Sequence, residues 1–176
     1  MTKRVRQYAG IGAAVLAYYG IHEGAHLACA FCLGVFRQVR FLGVGLQIDV
    51  WAERMTGLQM GLFCLAGPMA ALTAGWVLAA GAERLAGTGG PLFRAVLCYV
   101  TLAMLVLDPL YMSLLCGFFG GGDMNGIALL VPEAAARALS GLVFAGNGLL
   151  FLKKVLPAYE RGFAGMDEER RGGKER

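Results

Sequence analysis

Charge is scarce in this chain, and histidine scarcer still. Lys, Arg, Asp and Glu make up 16% of the 176 residues, where a soluble domain carries about 25%. Hydrophobic residues make up 57%, a surplus that belongs in lipid rather than in a soluble core. The net charge of +4 comes largely from Lys and Arg near the termini. No basic face with interleaved aromatics forms, which excludes a nucleic-acid reader. The five cysteines (Cys29, Cys32, Cys64, Cys98 and Cys116) are odd in number and lie in apolar segments. That excludes a secreted disulfide framework and leaves them as small packing residues. The first apolar run is too long for a removable signal peptide and has no small-residue cleavage site, and no soluble domain is expected after it.

Four hydrophobic segments come near the ~20 residues a tilted helix needs to cross a bilayer. They run from about Tyr8 to Phe36, Leu58 to Ala82, Pro91 to Phe119, and Pro132 to Leu156. Lys153 and Lys154 can snorkel from the last of them to the headgroups. The reading is an all-α membrane protein with about four transmembrane helices. Residues 1–160 form one core, and 161–176 form a charged, flexible tail. Lys3, Arg4, Arg6, Arg84, Arg94, Lys153 and Lys154 place both termini in the cytoplasm of a cell (plasma) membrane protein, with Arg37, Arg40 and Arg54 opposing that assignment.

Between the first two segments the pattern changes. Leu42, Val44, Leu46, Ile48 and Val50 recur at period two with Gly43 and Gly45 among them. This predicts a short strand or hairpin at the membrane edge, whose unpaired backbone can accept an extended peptide.

Both histidines fall in His22-Glu23-Gly24-Ala25-His26. Two imidazoles at i and i+4 share one helix face and can hold one Zn²⁺ per chain, with Glu23 one position round as a base for water. Ionisable groups at membrane depth are expensive and tend to be functional. A catalytic zinc takes a third protein ligand and keeps one position open. Asp123 is the first candidate, because Gly120-Gly121-Gly122 frees the backbone there to approach a metal. Asp108, beside Pro109, is the second. Cys29, on the face of His22 and His26, is the third. Asp123 capping a short helix is the plain alternative.

These residues resemble the site-2-protease-like intramembrane zinc metalloproteases. That family has His-Glu-x-x-His on one transmembrane helix, Gly-Pro on a following one and an aspartate on a later one. The matching residues are His22, Glu23 and His26, then Gly67-Pro68, then Asp123, over roughly Tyr8 to Leu130. The resemblance implies zinc ligation by His22, His26 and Asp123, with Glu23 as catalytic base. It also implies a membrane-edge sheet that presents substrate, here a transmembrane protein segment. The chain departs from the family in having Ala71 where an Asn often follows the Gly-Pro, and Asp123 outside a Leu-Asp-Gly run. Asn125 or Asn147 is then the polar group that would steady a substrate carbonyl, and an interhelical hydrogen bond is the other reading of Asn147.

The expected function is intramembrane peptide hydrolysis. The alternative is a non-catalytic metal-binding membrane scaffold, which needs no base. A metal transporter would spread its ligands over several spans, and two histidines are too few for a His-rich iron hydroxylase. Oligomeric state stays open, since Gly67, Ala70, Ala71, Ala74 and Gly75 allow close helix packing within or between chains.

Overall fold

A computed structural model describes residues 2–42 and 45–172. Helix α1 (Lys3–Cys32) leads into an antiparallel hairpin of β1 (Phe36–Leu42) and β2 (Gly45–Val50). Then come α2 (Gly57–Ala80), α3 (Ala82–Ala86), α4 (Pro91–Leu110), α5 (Asp123–Ile127), α6 (Glu133–Leu150) and α7 (Leu156–Gly172). The expected hairpin is present; Gly43 and Val44, between its strands, lie outside the described residues.

Among the described residues three helices, not the four expected, are long and apolar enough to cross a membrane: Gly57–Ala80, Pro91–Leu115 and Glu133–Gly165. At 30 residues α1 has the length. Its second half, however, carries His22, Glu23 and His26, which makes it less apolar than the other three. The segment from Arg161, expected as a flexible tail, continues as helix to Gly172.

α1 packs against α2 and α4 through a ridge of every fourth residue. Gly10, Ala14, His22, His26 and Ala30 are all buried, and half-buried Tyr18 stands in the same row. Such i±4 rows are the ridges by which helices interdigitate, so the two histidines continue a packing stripe that begins with small residues. Ala71 of α2, wholly buried, meets it together with Ala14, Val100 and Met104. A second cluster joins the hairpin to the helices through Val35, Ile48, Phe63, Met112, Cys116 and Met124.

Two prolines shape the interior. Pro109 has no N–H to return to the Leu105 carbonyl one turn earlier. Asn147 of α6 fills that place, donating from Nδ2 to the Leu105 oxygen at 2.8 Å. Its Oδ1 accepts from Trp76 Nε1 of α2 at 2.9 Å. One side chain thus ties three helices where α4 is interrupted. Beyond Pro109 the helix widens into a π turn over Tyr111–Leu115, with Cys116 N–H reaching the Tyr111 carbonyl at 2.8 Å. Local π segments of this kind mark functional regions.

The chain then reverses through Gly120, Gly121 and Gly122, at φ +83°, +85° and +48°. Side chains rarely adopt this left-handed backbone. At Gly121 a Cβ would also run into Asn125, and at Gly122 into the Tyr111 hydroxyl. Three consecutive left-handed residues let the chain leave α4 and bring Asp123 back against α1.

Candidate metal centre

His22 and His26 lie 7% and 3% exposed on the inward ridge of α1. Opposite them is Gly67 of α2, where a Cβ would collide with Nε2 of both rings. Gly67 is therefore the residue that makes room for the two imidazoles. Gly67→Ala is expected to lower metal affinity about tenfold or more, the size of other disturbances around a metal site. Metal content per purified chain, measured over a titration with chelator, reads that loss; an unchanged affinity would show that the rings have room to spare.

Each ring is held by its Nδ1. That of His26 lies 2.8 Å from the Phe63 carbonyl oxygen, and that of His22 lies 3.2 and 3.3 Å from the two oxygens of Asp108. Both partners only accept, so Nδ1 of each ring donates. In a neutral imidazole this leaves Nε2 as an acceptor.

The two Nε2 atoms stand 3.2 Å apart. Asp123 Oδ2 lies 3.2 Å from that of His22 and 3.4 Å from that of His26. Three acceptor atoms drawn into one small triangle repel one another unless a cation sits between them. His22, His26 and Asp123 thus form a group that can hold a metal ion. As a metal ligand Asp123 would serve in its carboxylate form.

No protein-family model, curated protein or solved structure matches this chain. Its function has to be argued from this geometry.

The triangle opens onto a cavity of about 670 Å³, whose lining includes Glu23, Tyr111, Asp123, Asn125 and strand β2. Glu23 stands on the cavity wall, and its Oε2 accepts from the Ile48 N–H at 3.3 Å. Ile48 pairs with Val39 of β1, yet this N–H is directed at α1. The edge of β2 that faces away from β1 therefore borders the cavity beside Glu23.

Of the candidate third ligands, Asp123 joins the histidines. It is the first residue of α5, after Gly122 at the N-cap, and its carboxylate faces the two histidines. Asp108 meets the far nitrogen of His22 rather than Nε2. Cys29 lies outside the group, packed among the apolar residues near the hairpin. Asn125 reaches the cavity and donates to the Gly120 carbonyl at 3.0 Å. Asn147 is engaged with Trp76 and Leu105, as described above.

Sequence reasoning passed over Tyr18, whose hydroxyl donates to Asp108 Oδ1 at 2.5 Å. The signal was there: Tyr18 stands four residues before His22, on the same helix face. It also passed over the Phe63 carbonyl, which no side-chain pattern can announce.

Proposed function

We propose that this protein is a zinc metalloprotease of the site-2-protease type, cleaving a transmembrane segment of another protein within the bilayer. The observation that carries the proposal is the donor triangle with the Glu23 carboxylate lining the same cavity. Its edges of 3.2, 3.2 and 3.4 Å match the roughly 3.3 Å edge of a tetrahedron built on bonds of about 2.0–2.1 Å, zinc's preferred geometry. An octahedral site with the same bonds would have edges of about 2.9 Å. Two imidazoles, one carboxylate and an open fourth position suit catalytic rather than structural zinc.

A zinc ion held there would acidify a water molecule and polarise a scissile carbonyl. Glu23, on the cavity wall, would take the proton from the attacking water and return it to the leaving amine. Asn125, which also lines the cavity, would be the amide that steadies the carbonyl oxygen. The substrate has to be extended, because a helix conceals its carbonyls in its own hydrogen bonds. The outward edge of β2 would hold it by strand addition. A strand pairing at Ile48 would take the N–H that now rests on Glu23, freeing that carboxylate as the substrate arrives.

Support for the bilayer comes from the three long apolar helices and from large apolar side chains on their outer faces, among them Leu62, Val77, Leu107, Leu139 and Leu149. The outward face of α1 carries Ile11, Val15 and Leu16 in the same way. With α1 as a fourth crossing, the basic residues at the ends favour cytoplasmic termini, and the plasma membrane is the proposed location.

The competing reading is a metal-binding scaffold without activity, which Ala71 permits and the presence of Glu23 beside the triangle opposes. The test is co-reconstitution of the protein with single-span peptides in liposomes, with products read by mass spectrometry. Cleavage that a chelator abolishes and zinc restores supports the protease. Bound zinc with no cleavage of any peptide supports the scaffold.

A further inference from the structure

We propose that Asp108 and Tyr18 form a positioning pair for His22, a role separate from ligation that gives the two histidines unequal strength as donors. The proposal rests on the metal reading of the triangle. Asp108 is 3% exposed, at the point where Pro109 interrupts α4. A carboxylate so deeply buried needs partners on its oxygens. Asp108 has two, both from α1: the Tyr18 hydroxyl at 2.5 Å and His22 Nδ1 at 3.2 Å. Tyr18 and His22 are one helical turn apart, so one carboxylate between them is bridged to successive residues of the α1 ridge.

The consequence for His22 is directional. A carboxylate on Nδ1 fixes the proton there, turns the ring so that Nε2 meets Asp123, and raises the basicity of Nε2. Tyr18, by donating to Asp108, holds that carboxylate in place and tempers its charge. His26 has only the neutral Phe63 carbonyl on its Nδ1, so it is oriented but less strongly polarised. There is also a balance of charge: two carboxylates, Asp108 and Asp123, would together offset the charge of one divalent ion held by His22, His26 and Asp123. Buried charges are tolerated on that condition. Asp108 cannot serve the same ion as a ligand, because it occupies the opposite side of the His22 ring from the triangle.

The experiment uses the full chain in detergent and compares the parent with Asp108→Asn, Tyr18→Phe and Asp123→Ala. Zinc affinity is measured against a coloured chelator, and the geometry of the site is read from the visible absorption of bound Co²⁺. Asp108→Asn is expected to weaken zinc about 10- to 100-fold, as loss of such an outer partner does, and to alter the Co²⁺ bands. Tyr18→Phe is expected to weaken it by a smaller factor. Unchanged affinity and spectrum in both variants would overturn the positioning pair while leaving the metal site intact. Complete loss of metal in Asp108→Asn, with retention in Asp123→Ala, would instead make Asp108 a ligand and overturn it too. A parent that binds no zinc would overturn the underlying metal reading, a separate outcome. Tyr18→Phe removes only a hydroxyl and so decides the matter if Asp108→Asn does not fold.

Discussion

Asp123→Ala is expected to reduce bound zinc from about one per chain to near zero. Zinc held by four protein ligands is bound by about 10–16 kcal/mol at neutral pH. Each ligand thus supplies roughly 2.5–4 kcal/mol, and losing one costs about two to three orders of magnitude in affinity. Here the loss is greater in kind as well as size, because Asp123 is the only anion in the triangle. Its removal leaves two imidazoles 3.2 Å apart with nothing to offset a divalent charge between them. No nearby carboxylate replaces it: Asp108 is engaged with His22 Nδ1 and Tyr18, and Glu23 is turned toward Ile48. Elemental analysis of detergent-purified protein measures the effect. One zinc retained in the variant would remove Asp123 from the ligand set and, with it, the tetrahedral argument.

How far the sequence reveals this site depends on how local each part is. His22, Glu23 and His26 are legible because i, i+4 spacing fixes their faces whatever the rest of the chain does. Asp123 lies 101 residues from His22 and is legible through another local cue, the glycines before it. Their left-handed backbone delivers the carboxylate as that cue predicts. Asp108 is different. Sequence marks it as an acid at depth beside a proline, but whether it meets Nε2 or Nδ1 of His22 depends on where α4 crosses α1, which is a matter of packing. Asn147 shows the same limit. Pro109 announces a free carbonyl at Leu105, yet only the tertiary arrangement shows that the amide filling it comes from α6. The hairpin could be read from its alternation. The count of spanning helices could not, since the residues that make α1 interesting are those that lower its hydropathy.

Glu23→Gln is expected to keep the zinc and lose the cleavage, by about 10²- to 10⁴-fold, the usual contribution of a general base. The substitution suits this site. Glutamine keeps the length and shape of the side chain, and its amide oxygen can still accept from the Ile48 N–H that now meets Glu23 Oε2 at 3.3 Å. Placement on the cavity wall is therefore retained, and what disappears is the capacity to take a proton. The metal ligands are untouched, because the triangle is formed by Nε2 of each histidine and the Asp123 oxygen alone. Zinc content near one per chain, together with a peptide left intact in liposomes where the parent cuts it, is the expected pair of results. Full activity in Glu23→Gln would remove Glu23 from the chemistry. Loss of zinc in the same variant would make Glu23 part of the metal site instead. The first pair separates protease from scaffold most sharply, because a scaffold has no use for a carboxylate whose only neutral substitute keeps its shape and its hydrogen bond.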